Sequence, residues 1–145
     1  MIIGLIEKKF MTIKQILEEV NEIFSVFDDP KEKFVQLMDM AKESEGLTDS
    51  EKNEKNKIYG CTSQAWVLAT KDKDETFYFR TDSDAMIVRG LLTILVKIFN
   101  GQTANEIQSV NGTMILNSIG LSGTVTNQRT NGFSSAVEKI HGLVS

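Results

Sequence analysis

One cysteine and one histidine are all that the 145 residues contain of those two types. A single thiol cannot close an intrachain disulfide, so nothing in the cysteine usage points to an oxidising compartment. One Cys with one His also cannot build a Cys/His-rich four-ligand zinc site. Positive charge is short as well. Sixteen Lys plus Arg stand against twenty Asp plus Glu, for a formal net charge of −4 and a pI near 5.1. Indiscriminate binding to nucleic acid or to an anionic membrane needs a basic face, so both are disfavoured. The strongest apolar segment, residues 85–99, has eleven of fifteen positions apolar. As a helix it would reach about 22 Å, short of the roughly 30 Å hydrocarbon core of a bilayer. Arg89 and Lys97 interrupt it, and it is expected as the buried central helix of a soluble domain.

Further absences narrow the chemistry. Residues 1–6 are apolar but lack a preceding basic region, adequate length and a small-residue cleavage site. Met11 is an alternative start to Met1, which would leave residues 1–11 as a frayed extension of the single domain expected over residues 1–145. No G-x-x-x-x-G-K-[ST], G-x-G-x-x-G or G-x-S-x-G occurs, so two common nucleotide cradles and the hydrolase nucleophile elbow are missing. His141, four residues from the C-terminus, is expected as a solvated helix-end residue. Asn111-Gly112-Thr113 is expected as a turn.

What is present suffices for one core: 41% of residues are hydrophobic and 25% charged, the balance of an ordinary globular chain. Thr12 with Gln15 forms a capping-box pattern ahead of an apolar stripe at Ile13, Ile16, Leu17, Val20, Phe24 and Phe27. Asp29-Pro30 with Glu32 starts a second helix, whose buried face is expected from Phe34, Leu37, Met38 and Ala41. After a charged connector at 49–57 the period changes. Segments 65–70 and 76–81 predict an antiparallel hairpin, and 56–59 is a candidate third strand. Asp82 or Ser83 is expected to cap the apolar helix, and Asn100-Gly101 to close it. Thr103 with Glu106 marks another helix start, an apolar turn follows at 114–119, and Thr126 caps a last helix. The inward stripe of that helix is Phe133, Ala136, Val137, Ile140 and Val144. The order predicts an α+β domain with a small antiparallel sheet covered by helices.

Cys61 is the one candidate nucleophile with a suggestive context. A lone free Cys usually behaves as a small buried hydrophobe. Here Gly60 permits unusual backbone angles, and Thr62-Ser63-Gln64 supplies polar groups in a loop before a strand. A thiol presented this way can attack a sulfur atom on another molecule.

The run Asn56-x-Ile58-x-Gly60-Cys61-x-Ser63-Gln64-x-Trp66 resembles the signature of the SufE family, sulfur acceptors for cysteine desulfurases. Asp82-Ser83-Asp84-Ala85-x-Ile87-Val88-Arg89-Gly90-Leu91 matches that family's D-S-D-A-x-I-V-[KR]-G-L helix start. Gly120-Leu121-Ser122 followed by Arg129-x-Asn131-Gly132 resembles its C-terminal segment. The blocks keep their order, and the likeness runs from about Phe24 to the C-terminus. Two positions depart from the family: residues 43–48 replace a Leu-Pro-rich segment, and Asn127 replaces a Pro.

The resemblance implies a cytoplasmic α+β protein sharing the fold of IscU-type scaffolds. A scaffold needs several cluster ligands, and this chain has one Cys, so that role fails on counting unless several chains share a cluster. The implied role is that of an accessory protein, not itself an enzyme. Cys61 would accept sulfur from a desulfurase of the SufS or CsdA type and pass it toward a SufBCD-type scaffold. Pyridoxal phosphate would belong to the desulfurase, leaving this chain without a cofactor. Gly60, Ser63 and Gln64 would shape the Cys loop and Trp66 would anchor the next strand. Asp84 and Arg129 would support the loop or dock the partner; otherwise they are a helix cap and a solvated helix charge. A rival is a regulatory module that binds a desulfurase without carrying sulfur. A one-Cys peroxide reductase ranks last, because the Pro-x-x-x-Thr-x-x-Cys context is missing. A carrier also predicts a Cys61 sheltered among apolar neighbours in the free protein and extended in the complex.

Overall fold

The structure, a computed structural model, describes residues 11–145. The expected extension at 1–11 lies, Met11 apart, outside the described residues. Helix α1 (Ile13–Ser25) begins on the expected capping box: Thr12 Oγ1 accepts from the Gln15 amide, and Gln15 Oε1 from the Thr12 amide. It buries Ile13, Ile16, Leu17, Val20 and Phe24. Helix α2 (Pro30–Ala41) starts with the Asp29 carboxylate accepting from the Lys31 amide at 2.9 Å. Its buried line is Leu37, Met40 and Ala41, whereas the expected Phe34 and Met38 are only half-buried. The line is set by helix α3 (Met86–Phe99), which crosses α2 at Gly90. A Cβ at Gly90 would stand 2.2 Å from the Leu37 carbonyl oxygen, so only glycine lets the backbones approach this closely.

Strands β1 (Ala65–Lys71) and β2 (Thr76–Ser83) form the expected hairpin, with Trp66 opposite Asp82 and Lys71 opposite Phe77. The third strand is not 56–59 but β3 (Gln102–Thr103), which pairs antiparallel with Thr76 and Phe77 in the order β1-β2-β3. Segment 56–59 touches the other edge through one bridge, Lys57 to Trp66, with two backbone bonds of 2.8 Å around it. Gly60, at φ +95°, then turns the chain away from that edge.

The second expected change concerns Asp82 and Ser83. Both belong to β2, and α3 follows an N-cap at Ala85 that makes no side-chain cap hydrogen bond. Sheet pairing with Ala65 and Trp66 competes with capping and wins. Helix α3 packs against α1, α2, β2 and the last helix, and buries Leu91, Leu92, Ile94, Leu95, Ile98 and Phe99. Among the described residues no helix is long and apolar enough to cross a membrane.

Short helices α4 (Ala104–Gln108) and α5 (Gly112–Ser118) start on Thr103 and Asn111 caps. Helix α6 (Asn127–Val144) starts on Thr126 and buries the expected stripe together with Gly132. His141 is not a solvated end residue. Its Nε2 lies 2.9 Å from the Val110 carbonyl oxygen and 3.1 Å from that of Ile107. Only a protonated nitrogen satisfies a carbonyl, so Nε2–H donates and fastens α6 to the α4–α5 connection.

Candidate functional site

The site is a loop laid on a helix. Ile58 is buried before the loop and Ala65 after it, so residues 59–64 arch between two fixed points. At one point of the arch a Cβ on Gly60 would meet Ser135 Oγ of α6 at 2.5 Å. Next to it, Cys61 Sγ lies 3.6 Å from the Gly132 carbonyl oxygen, one turn earlier on the same helix. The S–H donates to that carbonyl, a weak bond of the kind sulfur makes.

Cys61 is half-buried and opens into a narrow cleft between α3 and α6. Val88, Leu91, Leu92 and Phe133 form apolar walls, Gly132 forms part of the floor, and Thr62, Gln128 and Arg129 stand at the cleft as its polar members. Its free volume is about 20 Å³, enough to admit a water-sized body. Burial pushes the thiol pKa above its ordinary value of 9.0, because the surroundings solvate a thiolate poorly. Seated, Cys61 is therefore a neutral donor. A thiolate is favoured only where water or a nearby cation solvates it better than this cleft does.

Of the residues singled out in the sequence, Cys61 and Arg129 share this cleft. Arg129 is half-buried, and its guanidinium makes no hydrogen bond or ion pair among the described residues. Ser63 is half-buried and Gln64 exposed, and the backbone of Gln64 forms the loop's far hinge. The Gln64 carbonyl accepts from Ser83 Oγ at 2.8 Å and from the Asp84 amide at 3.2 Å. Asp84 thus holds the hinge through its backbone while its carboxylate is exposed. Trp66 does not line the cleft. It is buried in β1 opposite Asp82, with Lys52 Nζ 5.5 Å from its ring centroid.

Three residues have site roles that sequence reasoning did not assign to them. Ser83 pins the hinge, and Gly132 makes room for the thiol. Asp82 fastens the 46–52 segment to the sheet: its carboxylate accepts from the Leu47 amide at 2.9 Å and the Ser83 amide at 2.8 Å. Lys52 and Arg89 approach it at 3.4 and 3.6 Å. Burial by itself would raise the pKa of Asp82, but the two amides and then the two cations more than offset it, holding the carboxyl below its usual range. Ser83, Gly132 and Asp82 all lie in the blocks quoted above, which was the available signal.

A small α+β domain that presents a single thiol from a loop lodged on a helix defines a thiol-presenting protein. The chain matches the family model SufE, described as an Fe–S metabolism associated domain, over residues 18–144. It belongs to the SufE family. It is 32% identical over 127 residues to an uncharacterized SufE-like protein of Rhizobium meliloti, covering 86% of this chain and 91% of that one. It is 28% identical over 123 residues to the sulfur acceptor protein CsdE of Escherichia coli, covering 85% and 84% of the two chains. The solution structure of a hypothetical protein from Thermus thermophilus superposes with a TM-score of 0.72 over 89% of this chain and 93% of that one. At 16% identity it shows the fold alone.

Proposed function

We propose that the chain is a sulfur acceptor and carrier, with Cys61 as the accepting atom's residue. The observation that carries the reading is the seat itself: the one thiol of the chain sits on a loop anchored at both ends, over a mainly apolar cleft. A sulfur acceptor among the relatives supports it. The donor is a pyridoxal-phosphate cysteine desulfurase of the SufS or CsdA type holding a persulfide on its own Cys, and the cofactor stays with that partner. The Cys61 thiolate attacks the outer, sulfane sulfur. A bond forms between Cys61 Sγ and that sulfur, the bond to the desulfurase Sγ breaks, and the electron pair leaves on the desulfurase thiolate. No oxidant or reductant is consumed. The partner is thereby freed for another turnover, and the loaded chain delivers sulfur for iron–sulfur cluster assembly on a SufBCD-type scaffold.

The test is intact mass after incubation with a desulfurase and cysteine. The reading expects a gain of whole sulfur atoms that a thiol reductant reverses. An unchanged mass alongside stimulated turnover would instead identify a regulatory module that carries nothing.

A further inference from the structure

We propose that the outer edge of β2, between Asn100 and Ser44, is a slot for one residue of an extended, basic segment of a partner protein. Phe79 and Thr81 pair with its backbone, and Glu43 and Glu45 with its cation. The inference is independent of the carrier reading, because the slot lies on another side of α3. Its α3 residues, Thr93, Val96 and Asn100, stand roughly a third of a turn around the helix from those facing Cys61.

The phase of the β1–β2 ladder opens the slot. The Ile58 amide donates to the Ala65 carbonyl and the Val67 amide to that of Asn56, so Ala65 and Val67 turn their backbone groups away from β2. Their partners Ser83 and Thr81, and Phe79 in step with them, therefore turn theirs away from β1. Side chains occupy the two ends of that outer row. Asn100 Oδ1 accepts from the Phe79 amide at 2.8 Å, and Ser44 Oγ donates to the Thr81 carbonyl at 3.4 Å. Strand β3 pairs no further than Phe77. Between the two ends, the Phe79 carbonyl and the Thr81 amide have no partner among the described residues. They flank Arg80 as a parallel neighbour requires: one incoming residue donates its N–H to Phe79 and accepts from Thr81.

Space and chemistry agree. A cleft of about 340 Å³ lies in front of these groups, walled by Phe79, Thr81, Val96, Asn100 and the 43–46 segment, a size at the lower end of ligand sites. Thr81 is 3% exposed, and its Oγ1 has no hydrogen-bond partner. Thr81 shares a sheet face with Phe79, whose ring meets Phe99 of α3, so the hydroxyl stands on the cleft side. An unpaired buried hydroxyl costs stability, and a ligand that bonds it recovers that cost. Charge selects the ligand. Glu43 and Glu45 are exposed at the cleft and make no ion pair among the described residues. Arg80 is already held by Glu51 at 2.7 and 3.0 Å. A lysine or arginine matches that imbalance, and its aliphatic stem can lie along Val96.

The experiment titrates the full chain, labelled with nitrogen-15, with the capped peptide acetyl-Ala-Arg-Ala-amide and follows backbone amide shifts and exchange. The slot predicts saturable shifts centred on Thr81 and slower exchange of its amide, both weakening as salt is raised. A peptide with Glu at its centre should not bind. Nor should the Arg peptide N-methylated at its central amide, which cannot donate to Phe79. Glu43→Gln combined with Glu45→Gln should weaken binding about threefold at low salt, and Thr81→Val about fivefold. Should Thr81→Val not fold, the N-methylated peptide decides the backbone pairing by itself. Shifts that leave Thr81 untouched, or equal binding of the acidic or the N-methylated peptide, overturn the slot. Free arginine binding as tightly as the peptide also overturns it, and identifies a site for a small cation instead.

Discussion

The sulfur of Cys61 lies 3.6 Å from the carbonyl oxygen of Gly132, and a Cβ on residue 132 would stand 3.1 Å from that same sulfur. One helical residue thus supplies both the acceptor that holds the thiol and the space that admits it. Gly132→Ala separates these effects. An interior Gly→Ala change favours a helix by about 0.5–1 kcal/mol, whereas the new methyl pushes on the loop. The thermal midpoint should hold or rise while Cys61 alkylates several-fold faster. An unchanged alkylation rate in a folded variant would show that the contact does not seat the loop.

The buried thiol also sets a pH profile. Because burial raises its pKa above 9.0, the native alkylation rate should rise with a midpoint above that of the chain in denaturant. The neutral thiol is the form the fold favours, so this contribution to stability is present below the unfolded pKa and is lost as pH rises through the folded one. Coincident midpoints for the two states contradict the seated geometry.

Asp82 behaves oppositely. Its folded pKa is lowered, so its contribution is complete above the unfolded carboxylate value of about 3.9 and is lost as pH falls through the lower folded value. Asp82→Ala leaves the Leu47 amide and two cations without their partner. It should cost about 3 kcal/mol at neutral pH, the low end for breaking a buried pair. The low end applies because Arg89 and Lys52 keep side-chain exposures of 27% and 32%. Denaturant titrations should show the gap from wild type closing below about pH 4. A gap independent of pH would contradict the charged role.

Leu95 is fully buried in α3, where α1, α2, the sheet and α6 converge. Leu95→Ala should cost about 2–5 kcal/mol through lost transfer energy and the cavity left behind. Chemical denaturation measures it, and an unchanged midpoint would place the core elsewhere.

The features legible in the sequence are those whose chemistry is local. Thr12 with Gln15, Asp29 with Pro30, Thr103 with Glu106, and Thr126 all cap within four residues, and each begins a helix as expected. Pairing over long separations was not legible. Gln102 and Thr103 join β2 because Asn100 and Gly101 bring them back to it: Phe79 donates to Asn100 Oδ1 and Gly101 to the Phe77 carbonyl, both at 2.8 Å. No local pattern signals a two-residue strand. Asp82 looked like a cap because the apolar helix begins just after it, yet its partners Leu47, Lys52 and Arg89 come from two other segments. The same division runs through the site. Cys61 and its loop stood out as a motif, whereas nothing in the sequence tied the cleft walls to the thiol, since they belong to helices that begin more than twenty residues away. Their meeting with the thiol is a tertiary event.

The most direct measurement of the central claim is peptide-level mass mapping of the chain after reaction with a cysteine desulfurase and cysteine, beside a Cys61→Ser control. The account predicts added sulfur on the Cys61 peptide, none on the folded Ser variant, and loss of that variant's multiple-turnover stimulation. An unmodified Cys61 peptide, or a Ser variant that stimulates desulfuration as fully as the wild type, would contradict it.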